Sequence, residues 1–223
     1  MIKVCTDHPV ALNSPDHLHP WGTAHDNSRS PGFNDKLIAL VPEHRRSILD
    51  LGCAGGAMIL DFLQAGWTAV GLEGSDYSQN TNRSEWCNIG GTHLFTCDIT
   101  QPFSIFVDDR PAWFQVITLW EVIEHIAEGD LEALFDNIAF HLDTGGLVIG
   151  SVSTREEAPE GFPLHQTVQE RDWWMRKFWQ LGFQQRDSLV GYFGNDMVRV
   201  DGESFYVVLT RCNEAPAINE ELL

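Results

Sequence analysis

The stretch ILDLGCAGGAMILDFLQAGWTAVGLEGSD, Ile48 to Asp76, constrains the fold more than any other part of the chain. An apolar run ends at Asp50-Leu51-Gly52, a turn of small residues follows, and Met58, Ile59, Phe62 and Leu63 then recur at helical spacing. Small residues let a backbone reverse sharply and lie close beneath a ligand, where a Cβ would clash. A second apolar run, TAVGLE, ends on Glu73, twenty-three positions after Asp50. Strand, glycine-rich turn, helix and strand form a βαβ unit, which implies a parallel sheet. A carboxylate at the end of the second strand can accept both hydroxyls of a ribose, so the unit points to a nucleoside-containing cofactor.

The alternation extends along the chain. Phe33, Leu37, Ile38 and Val41 predict a first helix closed by Pro42. Residues 75 to 88 are polar and weakly helical, THLFTCD and WFQVITLW read as the third and fourth strands, and GGLVIGSVS reads as the fifth. Between the last two, DLEALFDNIAFHL is a helix that Asp130 can cap. After a polar loop at 154 to 166, TVQERDWWMRKFWQLGF reads as a helix opening on a capping box of Thr167 and Glu170. Trp174, Phe178 and Leu181 form its buried stripe, so Trp173 and Trp174 read as core rather than as a ligand cage. QQRDSLV, a Gly/Asn/Asp loop and SFYVVLT give two closing strands that pair antiparallel. The expected fold is α/β: a Rossmann-like doubly wound, seven-stranded, mostly parallel sheet with an antiparallel last strand and helices on both faces. Residues 1–32 form a lead-in or lid, 33–212 the main domain, and 213–223 an acidic tail.

Fourteen Lys and Arg against 32 Asp and Glu give a formal charge of -18. Such a field repels phosphate backbones and anionic membranes, argues against long nucleic acids as partners, and suits a cationic ligand. The five cysteines (Cys5, Cys53, Cys87, Cys97, Cys212) include no Cys-x-x-Cys pair, and read as small core residues in a reducing cytosol. The opening residues lack a basic, apolar signal sequence, and no run approaches the ~20 apolar residues of a membrane span. A cytoplasmic protein is expected.

Two cofactor classes fit the turn. A nicotinamide dinucleotide calls for Gly-x-Gly-x-x-Gly, and the corresponding positions are Gly52, Ala54 and Ala57, a degraded match. S-adenosylmethionine has no pyrophosphate to cradle, so the turn need only wrap its amino-acid and ribose portions, with an acid such as Asp50 nearby. LDLGCAGG, VGLEGSD, CDIT and WEVIEHI fall in the order and spacing of the class I S-adenosylmethionine-dependent methyltransferases, and residues 46 to 152 resemble that superfamily. Ala54 stands where its usual turn has a middle glycine. The resemblance implies that Asp50, Gly52, Cys53, Ala54 and Gly56 surround the methionine and ribose of the cofactor and that Glu73 binds the ribose. It further implies that Asp98 faces the adenine amino group, that Gly74 and Ile99 flank those acids, and that Trp120 flanks the cofactor.

Methyl transfer is an in-line displacement, for which the protein positions a nucleophile and, for oxygen, can supply a base or a metal. If a helix begins near Trp120, Glu121, Glu124 and His125 share one surface. His165, at the end of the loop after strand five, is a fourth candidate ligand for a divalent metal. RNA 3′-terminal ribose methyltransferases hold a metal with a similar Glu-x-x-Glu-His and a distant His, and ubiquinone-pathway O-methyltransferases carry a similar segment. The alternatives are that His125, with Glu124, serves as base or acceptor contact, or that the segment has a structural role alone. WGTAHDN in the lead-in offers an aromatic, a histidine and an acid to a substrate, while Asp26 or Ser30 can instead start the next helix. Tyr192, Phe193 and Asn195 fall in an expected loop at the substrate edge. The resulting expectation is methylation, at oxygen, of a small-molecule or glycan-like acceptor. The rival readings are a metal-assisted RNA ribose 2′-O-methyltransferase, a non-catalytic S-adenosylmethionine-binding module and a nicotinamide oxidoreductase.

Overall fold

The computed structural model describes residues 1–196 and 204–222. Strand β1 (Ile2–Thr6) is followed by helices α1 (Pro15–Leu18), α2 (Trp21–His25) and α3 (Pro31–Leu40). Next come β2 (Ser47–Leu51), α4 (Ala57–Gln64), β3 (Thr68–Glu73), α5 (Tyr77–Asn80), α6 (Trp86–Ile89) and β4 (Leu94–Thr96). A hairpin of β5 (Phe103–Val107) and β6 (Arg110–Pro111) precedes β7 (Phe114–Trp120), α7 (Leu131–His141) and β8 (Leu142–Ser153). The last elements are α8 (Arg171–Gln180), β9 (Phe183–Gln185), α9 (Asp187–Phe193) and β10 (Ser204–Arg211).

The main sheet has seven strands in the order β4-β3-β2-β7-β8-β10-β9, with β10 antiparallel to both neighbours and the other pairs parallel. This is the expected Rossmann-like architecture. Its order reverses between β2 and β7, and a crevice opens there at the carboxyl ends of the strands. Adjacent residues of one strand feed opposite faces. Ile48, Ala69 and Val116 pack with Phe33, Leu37, Ile59, Phe62 and Phe193 from α3, α4 and α9. Leu49, Val70 and Ile117 pack with Leu134, Phe135, Ile138, Trp174 and Phe178 from α7 and α8. Coverage on both faces explains why Phe114 to Leu119 are all buried and show no alternation between apolar and polar, with even Gln115 and Thr118 enclosed.

Gly150 sits opposite Leu119 in the β7–β8 pair, where an added Cβ would overlap the Leu119 carbonyl oxygen. Because that neighbour is sheet backbone, Gly150→Ala is expected to cost about 3 kcal/mol and lower Tm by roughly 6–12 °C, measurable by thermal unfolding. An unchanged Tm would show that the two central strands can separate without loss.

Several local expectations need correction: of the five cysteines only Cys53 and Cys97 are buried in the core, while Cys5 and Cys87 are exposed and Cys212 is half-buried. The lead-in, without periodicity in sequence, contains β1 and two short helices, and β1 joins β5 and β6 in a separate three-stranded sheet. That hairpin turns at Asp108 and Asp109, both at positive φ (49° and 61°), as a two-residue turn requires. The Thr167–Glu170 capping box does not form: Thr167 donates its hydroxyl to Ile126 O at 2.7 Å, and α8 starts only at Arg171. Asp130 occupies the N-cap position of α7 without a side-chain capping bond, as Ser30 does for α3. QQRDSLV is strand only through Gln185, after which its residues enter α9. Tyr192 and Phe193 therefore lie on a helix, with Phe193 fully buried against Phe33 and Asn195 in the 3-10 turn that follows. Most of the Gly/Asn/Asp loop, residues 197–203, lies outside the described residues.

Candidate active site

The turn after β2 passes through left-handed conformations at Gly52 (φ 82°), Ala54 (φ 44°) and Gly56 (φ 86°). Gly52 and Cys53 donate their N–H groups to Leu72 O, at 2.8 and 3.0 Å, tying the turn to β3. Glu73 completes the clamp: Oε2 accepts from Ala54 N at 2.7 Å, while Oε1 accepts from Ser75 N at 3.2 Å and the Thr23 hydroxyl at 3.4 Å. A left-handed alanine costs roughly 1–2 kcal/mol, and the charge-assisted bond to Glu73 offsets it. Burial pushes the Glu73 carboxyl up to about 7 against the opposing pull of the Ser75 and Ala54 N–H groups. Asp50 lies deeper, accepts from the Thr118 hydroxyl at 2.6 Å, and is likewise raised by burial to about 7.

A cavity of about 650 Å³ opens above this turn at the carboxyl ends of β2, β3 and β7. Gly52, Ala54, Glu73, Gly74, Asp98, Ile99 and Trp120 are on its wall, whereas Asp50, Cys53 and Gly56 are not. Cys53 is buried beside Gly71, and a Cβ on Gly56 would strike Leu94, so these positions serve packing and turn geometry. Asp98 accepts the N–H and hydroxyl of Thr100 on one carboxylate oxygen, at 3.0 and 2.7 Å, which fixes its loop. The Trp120 indole N–H is buried and has no protein acceptor.

The lead-in roofs the cavity. Ala11 N donates to Gly74 O at 2.9 Å, and Asp98 N donates to His8 O at 3.0 Å. Ala57 N, in the first turn of α4, donates to Asn27 Oδ1 at 3.0 Å. Of WGTAHDN, Gly22, Thr23 and Asp26 reach the wall; Trp21 is 52% exposed, and His25 bonds back to Trp21 O at 2.8 Å. Thr23 and Asn27 fall within WGTAHDN but were not among the side chains singled out there, and Asp16 lay outside every motif. The only local signal for Asp16 is Ser14-Pro15-Asp16, a helix-start pattern in which Ser14 caps His17 N at 3.1 Å.

The EVIEH segment is not a helix. β7 continues through Trp120, Glu121 turns at φ 52°, and a 3-10 turn spans Ile123–His125. Glu121 therefore points away, while Glu124 and His125 stay close together, so the three do not share one surface. Glu121 Oε2 accepts from the Ser204 hydroxyl at 2.9 Å. Glu124 is fully buried, with Oε1 accepting from Ser153 N at 3.0 Å and Oε2 unpartnered. His125 lies on the cavity wall, its Nδ1 3.0 Å from Asp16 Oδ2. His165 does reach across: its ring meets that of His125 edge-on at 4.7 Å, Nδ1 donates to Arg155 O at 2.7 Å, and Nε2 is 3.5 Å from Glu157 Oε2.

Ligand atoms of Glu124, His125 and His165 lie within 4.8 Å of one another, and among the described residues Glu121 stands outside this set. Burial lowers the basicity of His125, but the close approach and charge of Asp16, with Glu124 and Glu157, outweigh it and push the imidazole up to about 9. Burial, reinforced by Glu121, raises Glu124 to about 8. Burial lowers His165. At neutral pH His125 and Glu124 thus hold protons that a divalent ion would have to displace.

The reversed sheet and the cavity at its switch point define a class I S-adenosylmethionine-dependent methyltransferase. More particularly, the chain belongs to the methyltransferase-domain family, whose sequence model matches residues 26–194. No curated protein sequence matches it. Among solved structures, the DhpI–S-adenosylhomocysteine complex is similar at a TM-score of 0.56 and 13% identity, over 94% of this chain and 100% of that one. The glycopeptide N-methyltransferase MtfA with S-adenosylmethionine aligns at 0.54 and 14% identity, over 84% and 88% of the two chains. Mitomycin 7-O-methyltransferase MmcR aligns at 0.55 and 12%, over 81% of this chain and 53% of its own. These likenesses establish the fold.

Proposed function

We propose that this methyltransferase binds S-adenosylmethionine in the cavity above the Gly52–Gly56 turn and methylates an oxygen of a small-molecule or glycan-like acceptor. The observation that carries the reading is the joining of the Glu73–Ala54 clamp and His125 in one cavity of about 650 Å³. Bound there, the cofactor supplies a methyl group activated by its sulfonium. Glu73 accepts the ribose hydroxyls on its remaining lone pairs, Asp98 faces the adenine, and Gly52 and Ala54 let the methionine portion approach the backbone. Trp120 flanks the reacting end, and its unpartnered indole N–H suits an acceptor atom on a ligand. Asp16, Asp26, Glu73, Asp98, Glu121, Asp130 and Glu157 against Arg155 make the wall acidic. This favours the cationic donor over the demethylated product, which lacks the sulfonium charge.

His125 takes the proton from the acceptor hydroxyl, and residues 1–32 act as the roof that excludes water. The same acidity disfavours an RNA acceptor. All five cysteines are free, as suits a reducing cytosol, and among the described residues no helix is long and apolar enough to cross a membrane. Convergence of Glu124, His125 and His165 carries a second reading, a divalent ion assisting the same transfer; turnover indifferent to EDTA removes it.

Thermal unfolding tests the cofactor. Saturating S-adenosylhomocysteine, at about 100 times Kd, is expected to add about 2.7 kcal/mol and raise Tm by roughly 5–10 °C, while NADH leaves it unmoved. No shift with S-adenosylhomocysteine would sink the reading, and a shift with NADH alone would restore the oxidoreductase.

A further inference from the structure

We propose that Asp16 is a positioning residue of the methyl-transfer site, holding the His125 ring by Nδ1 so that Nε2 is left for the acceptor. The inference rests on the reading of His125 as proton acceptor. The geometry is an Asp–His couple assembled from two distant segments. Asp16 sits on α1 in the roof, His125 in the turn after β7, and Oδ2 lies 3.0 Å from Nδ1, an ion-pair contact whose N–H is not aligned for a hydrogen bond and which leaves buried Nδ1 with no other partner. Both side chains are largely buried, at 26% and 15% exposure, and both residues line the cavity.

An imidazole has two chemically distinct nitrogens, and a carboxylate at one decides the tautomer and orientation available at the other. The remaining neighbours of His125 cannot set its rotation equally well. His165 meets it edge-on, with its own Nδ1 committed to Arg155 O. Glu124, on the same turn, has one oxygen committed to Ser153 N. Glu157, from the loop after β8, lies against His165 Nε2 and the Arg155 guanidinium. Asp16 is thus the acid that the roof itself brings to the ring, and the ring is set only when the roof is in place.

In the transfer, an acceptor oxygen forms its bond to the methyl carbon while the carbon–sulfur electron pair stays on sulfur. The hydroxyl proton passes to neutral His125 Nε2. Asp16 neither gains nor loses a proton; it holds the ring before the transfer and balances the imidazolium afterwards.

The test uses the full-length protein, 15N-labelled at histidine and saturated with S-adenosylhomocysteine, with wild type, Asp16→Asn, Asp16→Glu and His125→Gln compared. The His125 imidazole signals, assigned by their loss in His125→Gln, are expected to show a hydrogen-bonded Nδ1–H. Asp16→Asn should change that pattern and Asp16→Glu should retain it, while affinity for S-adenosylhomocysteine stays within about threefold. Where turnover is followed with a catechol probe, kcat should fall at least tenfold in Asp16→Asn with little change in KM for S-adenosylmethionine. Ring signals identical in wild type and Asp16→Asn would overturn the proposal while leaving the methyltransferase reading intact. Equal losses of cofactor affinity and Tm in the Asn and Glu variants would also overturn it, by showing a merely structural role. Failure of wild type to bind S-adenosylhomocysteine would instead overturn the underlying reading.

Discussion

Glu73→Ala is expected to weaken binding of S-adenosylhomocysteine by roughly 10²–10⁴-fold, measured by calorimetry. Two charge-assisted hydrogen bonds to ribose hydroxyls are lost, at about 1.5–3 kcal/mol each. The carboxylate also organises the protein side of the site, since Ala54 N and Ser75 N both donate to it. Removing it leaves buried donors unsatisfied at a cost of about 1–3 kcal/mol, partly offset because no carboxylate need then be buried. Glu73→Gln keeps the shape and one oxygen, so a smaller loss is expected, on the order of tenfold to a hundredfold. The ionised form is the one that accepts both hydroxyls, and burial holds this group near pH 7. Affinity should therefore fall as pH drops below about 7. Full affinity in Glu73→Ala would place the ribose elsewhere.

His125→Gln should lower kcat by about 10²–10⁴-fold while affinity for S-adenosylhomocysteine changes little, because Glu73, Gly52 and Ala54 stay in place. The pH profile follows from the direction of the shift. His125 is raised from 6.5 to about 9, so its base form is scarce at neutral pH and kcat should rise between pH 7 and 9, then level off. Stability runs the other way. A histidine with a raised folded pKa contributes fully below its unfolded value and loses that contribution as pH climbs through the folded one, so the Asp16–His125 pair weakens between about 6.5 and 9. The pair that steadies the roof is thus strongest where the base is least available. A pH-independent kcat, or an active Gln variant, would remove His125 from the proton transfer.

Much of the site was legible because its signals are local. Asp50 to Glu73 is one βαβ unit, and its periodicities, small residues and terminal acid all lie within a few turns of chain. The mostly parallel, doubly wound sheet followed from the same alternation, since parallel strands need crossovers, whereas the order of its strands emerged only in the structure. At EVIEH, the same local logic misled. Trp120 pairs with Ser151 in the β7–β8 ladder, which keeps the backbone extended where i, i+3 spacing suggested a helix. Glu121 then turns to Ser204 at the cavity rim, Glu124 turns inward to Ser153, and His125 lies on the cavity wall. A ladder with a distant strand overrode short-range spacing there, and at the unformed Thr167 capping box a single tertiary hydrogen bond did so, the hydroxyl donating to Ile126 O.

The chain's order of residues was enough to specify the methyltransferase fold, the glycine-rich turn beneath the cavity and the acid at the end of β3, because each depends on backbone preferences within one supersecondary unit. The roof, the Thr23 hydroxyl on Glu73 and the Asp16 carboxylate on His125 depend on side chains that meet only after the sheet is built. No periodicity encodes such meetings. They arise because burial desolvates Glu73 and His125, and groups taken out of water must find their partners wherever the packed chain supplies them.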